Sequence, residues 1–335
     1  MENRFFHWRL SDASPYQIVP VEFLPRLPPG DHRYFVRILQ HLDRLLPAAG
    51  LTFLLTLHLD SLPEAMQDAV VILVGEERHQ TPSYRGRVRA IFKTAGIQRT
   101  PFRETLRLPP PVAWRMLLRD ARNRALQVKR RLQYGLPGGV LAPMYEIPLG
   151  TDILLDIDPP PIEQRPVDVF FAGGSASGLT LHPKFVARRQ MAAAVVAARV
   201  ALPRYRMETI LVTPPSDERF GPETYTQSMA NAKIALAPRG NCDETCRLFE
   251  AAKLGCVIVA ERLPSRWYYQ GCPVVWIPRW SALPDVLSSL LNDRARLTQL
   301  SLRTRQWWDS TVSEAAVAKF IAQNLARADP ALQRV

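Results

Sequence analysis

Short continuous apolar runs separated by amphipathic stretches organise the chain, and the alternation is clearest beyond residue 160. Residues 167–172 form one such run, closed by Gly173-Gly174, and 209–212, 233–237, 256–260 and 274–277 are others. Between them, 185–200, 223–230 and 244–254 repeat apolar residues at helical spacing, and two or three further helices fill 282–326. Short strands that are apolar on both faces, interleaved with helices, predict a parallel sheet covered on both sides. The first half has the same rhythm more faintly. Residues 31–46 carry a helical pattern, 52–57 and 70–74 read as buried strands, and 84–94 and 112–133 read as helices. The run Asp158-Pro159-Pro160-Pro161-Ile162 neither continues a helix nor suits a central strand. It divides the chain into domains at 1–160 and 161–335. The expected fold class is α/β, with two doubly wound Rossmann-like domains facing each other across a cleft. Ligands in such sheets bind beyond the carboxyl ends of the strands.

Composition supports this reading. A length of 335 residues, 47% hydrophobic and 22% charged, gives core enough for two domains and excludes a disordered chain. Thirty prolines predict that long uninterrupted helices are scarce. Cys242, Cys246, Cys256 and Cys272 include no Cys-x-x-Cys pair, and no nearby histidine completes a zinc set, so they read as reduced thiols. Residues 1–9 lack the apolar core of a signal peptide, and runs such as 51–57 fall well short of the ~20 residues that span a bilayer. A soluble, cytoplasmic protein is expected.

Charge adds a second theme. The net charge is +12, and between residues 85 and 131 fourteen Lys and Arg meet only Glu104 and Asp120, while elsewhere bases and acids balance at 29 each. Such a segment attracts nucleic acid, a phospholipid surface or a phosphorylated substrate, unless it is a plain solvated helical face. Within it Trp114, Leu117, Leu118, Ala121, Ala125, Val128 and Leu132 fall near one helical face, and Arg115, Arg119, Arg122, Lys129 and Arg130 fall mostly elsewhere. The pattern suits peripheral contact with an anionic membrane, at its inner face, or a core-facing helix with a basic exterior. No helix-turn-helix, RRM or zinc-finger pattern accompanies it, so nucleic acid is not the expected partner.

Candidate chemistry concentrates between Ala237 and Cys256. A strand ends at Pro238, a turn runs through Arg239-Gly240-Asn241, and a helix follows with Asp243 or a neighbour as N-cap. The free N–H groups of such a start favour a phosphate. Arg239 in the turn and Arg247 in the helix are placed to clamp a diphosphate through paired hydrogen bonds. Glu250, three residues past Arg247, shares its face and suits a ribose diol. An amphipathic helix with a surface Arg–Glu pair is the plainer alternative. Gly173-Gly174-Ser175, after the first strand of the second domain, lets a phosphate or sugar approach the backbone or makes a simple tight turn. Arg188 and Arg189 on the next helix either add positive charge there or face solvent.

Pro238-Arg239-Gly240, then Thr245-x-Arg247-x-x-Glu250-Ala251, then Gly255-Cys256-Val257-Ile258-Val259 follow in fixed order. Asp168-Val-Phe-Phe-Ala-Gly173 precedes them, and Trp280 with Leu283 follows. The series resembles the donor-binding core of exostosin-type glycosyltransferases. The likeness implies a GT-B fold, a nucleotide-sugar donor with UDP as the expected carrier, and a saccharide or lipid-linked acceptor of the kind used in polysaccharide biosynthesis. It also implies inverting transfer with no metal and no other cofactor. Eukaryotic members are Golgi-anchored, and this chain looks like a soluble bacterial relative. Gly173, Gly174, Ser175, Arg239, Gly240, Thr245, Arg247 and Glu250 become the donor-site candidates, with Thr245 where that family usually has Ser.

Inverting transfer needs a base for the acceptor hydroxyl proton. Glu76, just after the strand at 70–74 and Gly75, is the candidate, with Glu77, His79 and Asp60 nearby; a solvated acidic turn would explain the same residues. Asp156-Ile157-Asp158 has the Asp-x-Asp form that holds a divalent metal in other transferases. Three prolines follow it directly, and a linker is the better reading.

Overall fold

A computed structural model describes residues 2–328 except 10, 12, 18–31, 78, 98–109, 135–140, 152–153, 175–181 and 213–220. The chain forms two compact units. The first holds Met1–Thr100, Leu117–Leu149 and Ser313–Val335, and the second holds Pro101–Met116 and Gly150–Val312.

In the first unit, β1 (Arg4–Trp8), β2 (Tyr16–Gln17), β3 (Thr52–Thr56), β4 (Val70–Leu73), β5 (Ala90–Lys93) and β6 (Met144–Glu146) form a sheet ordered β2-β1-β3-β4-β5-β6. Only the edge strand β2 runs antiparallel. Every residue of β3, β4 and β5 is buried, which is why β3 and β4 read as unbroken apolar runs. The helix expected at 84–94 is replaced by turns and β5. Gly86 interrupts any helix there, and Ile91 and Phe92 are fully buried in a strand lying between β4 and β6. β1 was not legible: its five residues, Arg-Phe-Phe-His-Trp, look polar and aromatic, yet His7 is fully buried and bonds His32 at 3.0 Å.

Helix α1 (Arg33–Leu45) buries Tyr34, Phe35, Ile38, Leu39 and Leu42. A long helix, α2 (Pro110–Tyr134), follows where 112–133 carried a helical pattern, although the prolines predicted that long helices are scarce. Proline stands in the first turn of this and several other helices, where no N–H is needed, instead of breaking their interiors.

The second unit's sheet contains β7 (Val167–Gly174), β8 (Met207–Val212), β9 (Ala232–Ala237), β10 (Val257–Glu261) and β11 (Val275–Ile277), all parallel and ordered β11-β10-β9-β7-β8. The helices are α3 (Pro183–Ala201), α4 (Pro222–Ala230), α5 (Cys246–Lys253), α6 (Leu283–Leu291) and α7 (Arg294–Trp307). Val169, Phe171, Met191, Val195, Val259 and Leu287 belong to one core cluster on this sheet. The last helix, α8 (Glu314–Ala328), belongs to the first unit, although the division at 160 grouped it with the second. It packs on α1 with Val317, Ala318, Ile321 and Leu325 buried, and Glu314 pairs with Arg37 at 3.7 Å. An amphipathic stripe shows that a helix needs a partner, not which sheet supplies it. No helix among the described residues is long and apolar enough to cross a membrane.

The strand order reverses at β7, which has β8 on one side and β9 on the other. Helices leave such a switch point in opposite directions, and ligands settle beyond the carboxyl ends of its strands. In the second unit that place is the end of β7 at Gly173-Gly174, next to the end of β9 at Ala237.

Candidate functional site

Two arginines meet at the end of β7. Arg188, near the start of α3, is 4% exposed, and its Nη1 donates to the carbonyl of Gly174. Arg247, in the first turn of α5, is half-buried; its Nε donates to the carbonyl of Ala172 and its Nη1 to Thr245 Oγ1 at 3.3 Å. Both guanidiniums lie close to Phe171, at 5.9 Å for Arg188 and 5.2 Å for Arg247, within the range of cation–π attraction. Among the described residues neither forms an ion pair with a carboxylate, and Arg188 Nε is buried with no hydrogen-bond partner. Burial, with the charge of Arg247 added, pulls Arg188 down to about 9. Two cations held together in a partly dry site, with no paired carboxylate among the described residues, make a seat for an anion.

Gly173 is what allows Arg247 into this position. A Cβ there would lie 2.7 Å from Arg247 Cζ and nearer still to its Nη2. Gly173→Ala is therefore expected to leave the unfolding temperature nearly unchanged while weakening diphosphate binding by about tenfold, the worth of one charge-assisted hydrogen bond. Titration calorimetry with UDP would check it; unchanged affinity would detach the glycine from the site.

Glu250 is 3% exposed, and its Oε2 accepts a hydrogen bond of 2.5 Å from Tyr225 of α4. Burial first, then the Glu250 charge, pushes the Tyr225 hydroxyl well up, so it stays a donor. The carboxylate is thus set by a tyrosine that no motif in the chain singles out. It is not the surface half of an Arg–Glu pair.

Arg239 is placed differently from the phosphate clamp expected of it. It is 6% exposed, its Nη2 pairs with Asp243 at 3.2 Å, and its Nε lies 3.8 Å from Glu261. Two carboxylates already answer its charge, so it organises the loop between β9 and α5. Asp243 is taken up in that pair, and the N-cap falls to Thr245, so α5 starts two residues later than the apolar pattern indicated. Gly240 serves the same loop: its N–H donates to the Glu244 carbonyl at 3.1 Å, and a Cβ would strike that same oxygen. Beneath the loop, Glu244 receives Arg266 Nη1, Tyr268 at 2.5 Å and Tyr269 at 2.8 Å. Burial pushes its carboxyl upward even against these partners. Ser175 lies outside the described residues.

In the first unit, Glu76 follows β4 but is not presented to solvent. It is 6% exposed, and its Oε2 pairs at 2.9 Å with Lys93, which is fully buried at the end of β5. Lys93 Nζ also donates to the carbonyls of Glu76 and Gly96, each at 2.9 Å, and of Thr94 at 3.2 Å. Glu76 Oε2 further accepts from the Gln80 N–H at 2.9 Å. The pair ties together the two loops that leave β4 and β5, so Glu76 does not lie in a solvated acidic turn. A lysine closing an otherwise apolar strand, Ala-Ile-Phe-Lys, was the available signal. Asp156 of the Asp-x-Asp sequence pairs with Lys253 at 2.8 Å.

No protein-family model matches the chain, and no curated protein matches it. Among solved structures it is similar to the sucrose-phosphate synthase of Thermosynechococcus elongatus, with a TM-score of 0.50 at 14% identity over 88% of this chain and 94% of that one. It is also similar to the GtfA/B complex (TM-score 0.46, 13% identity) over 88% of this chain and 60% of the other, so it spans less than two thirds of that relative's length. A third is WaaG, a glycosyltransferase involved in lipopolysaccharide biosynthesis, with a TM-score of 0.42 at 12% identity over 88% of this chain and 97% of that one. At these identities the likeness is one of fold. The fold is α/β of the GT-B type, with two Rossmann-like units.

Proposed function

We propose that this protein is a glycosyltransferase that takes a sugar from a nucleoside-diphosphate donor, UDP-linked, and passes it to a saccharide or lipid-linked acceptor. One observation carries the reading: Arg188 and Arg247 converge at the switch point of the parallel sheet, with no carboxylate paired to either among the described residues, beside a glycine that leaves them room. In sugar transfer the bond from the anomeric carbon to the diphosphate oxygen breaks, and its electron pair leaves with the diphosphate. The acceptor hydroxyl oxygen forms the new bond and gives its proton to a base. Charge grows on the departing oxygen, and cations fixed beforehand in a dry site stabilise that charge most where it is greatest. Glu250, held by Tyr225, would meet the ribose. The motif spacing of the exostosin-type enzymes supports inversion and transfer without a metal.

A thermal-shift panel of nucleoside diphosphates and their sugars tests the reading. Relief of the Arg188–Arg247 repulsion is expected to raise the unfolding temperature with a diphosphate and hardly at all with the nucleoside alone. A uniform lack of response to diphosphates would count against it.

A further inference from the structure

Helix α2 carries an apolar stripe on its outside. Trp114 is 63% exposed, Leu118 53%, Val128 56% and Leu132 81%, and Ala121 and Ala125 between them are exposed as well. Their spacing alternates four and three residues, so all six share one face. Ala113, Met116 and Asn123, on the opposite side, are buried. The stripe is therefore not the core-facing side of the helix. Exposed Arg115, Arg122 and Lys129 border it along one edge and exposed Arg124 along the other. The whole helix, Pro110–Tyr134, has seven bases and a single acid, Asp120.

We propose that this face of α2 is a docking surface for an anionic phospholipid bilayer, on which the helix lies flat, its Trp114–Leu132 stripe in the headgroup boundary and its flanking bases on lipid phosphates. The charge pattern selects the bilayer over other occupants. A second copy pairing through the same stripe would set seven bases against seven, with no acidic flank to answer them as paired helices require. Nucleic acid would meet tryptophan and leucine where phosphates want cations. A helix with an apolar centre line and basic edges matches the interface of a negatively charged membrane, and such a helix lies on the bilayer without spanning it. The inference stands apart from the reaction proposed above and does not depend on it.

Co-sedimentation of the full chain with phosphatidylcholine vesicles, with and without phosphatidylglycerol, is the test. The protein is expected to bind the mixed vesicles and to bind phosphatidylcholine alone far more weakly. The variant Arg122→Gln/Lys129→Gln should lose about 25-fold in binding, at about fivefold per charge near an anionic surface. Leu118→Ser/Leu132→Ser should lose about tenfold or more from the apolar term. All four side chains are exposed, and unchanged thermal unfolding would confirm that the variants are folded. Equal binding to both vesicle types, or variants that bind like the parent, would overturn the proposal. So would a dimer in sedimentation equilibrium that Leu118→Ser/Leu132→Ser dissolves, or oligonucleotide binding that depends on Arg122 and Lys129 and ignores the leucines.

Discussion

Replacing Arg247 with alanine is expected to lower kcat/KM by about a hundred- to a thousandfold, the range seen when one preorganised donor to a developing oxyanion is removed. Arg188→Ala should do comparable damage, because the two guanidiniums share one seat beside Phe171. Their effects should also fail to add, the double variant losing less than the product of the singles. The fold should survive, since neither side chain closes an ion pair among the described residues and removing one relieves repulsion on the other. Steady-state kinetics with a UDP-sugar, alongside thermal unfolding of each variant, measures both halves of the claim. Near-normal turnover in either single variant would remove that arginine from the reaction.

Loss of the Lys93 side chain is expected to be the most damaging change to stability. Lys93→Ala removes the cation that faces the buried Glu76 carboxylate and takes the Lys93 hydrogen bond from the Gly96 and Thr94 carbonyls. Breaking a buried pair in this way costs about 3–5 kcal/mol. Lys93→Met combined with Glu76→Leu should recover part of that loss, because no lone charge then remains in the interior. Urea unfolding followed by fluorescence would report it; a change below about 1 kcal/mol for Lys93→Ala would show that water reaches the pair. The same series separates two tasks for Glu76. A carboxylate that only ties loops together loses stability and activity in step, whereas a base loses activity in the isosteric Glu76→Gln variant while the fold holds.

Much of this architecture was visible in the chain itself. The five strands of the second unit lie close to where unbroken apolar runs placed them, because a parallel sheet buried on both faces leaves that pattern. The turn after Pro238 and the helix carrying Arg247 and Glu250 were also legible from glycine and helix-start chemistry. Two things were not. β5 was mistaken for a helix because Tyr84, Val88, Ile91 and Phe92 also satisfy a helical period, and only pairing with β4 and β6 decides between the two. The division of work among the arginines was hidden as well. Arg239 and Arg188 look alike in sequence, yet Asp243 and Glu261 neutralise the first, while the second is buried against Gly174 and pairs with no acid among the described residues. Partnership of that kind depends on side chains brought together from distant positions. The helix read at 112–133 is present as α2, and the thirty prolines did not argue against it, because composition counts prolines without saying that they stand at helix starts.

Titration calorimetry of UDP into the parent protein and into Arg188→Ala/Arg247→Ala examines the anion seat most directly. Binding by the parent, weakened about a hundredfold or more in the double variant at equal thermal stability, is the result expected of two charge-assisted contacts to one diphosphate. Equal affinity in the two proteins would contradict it.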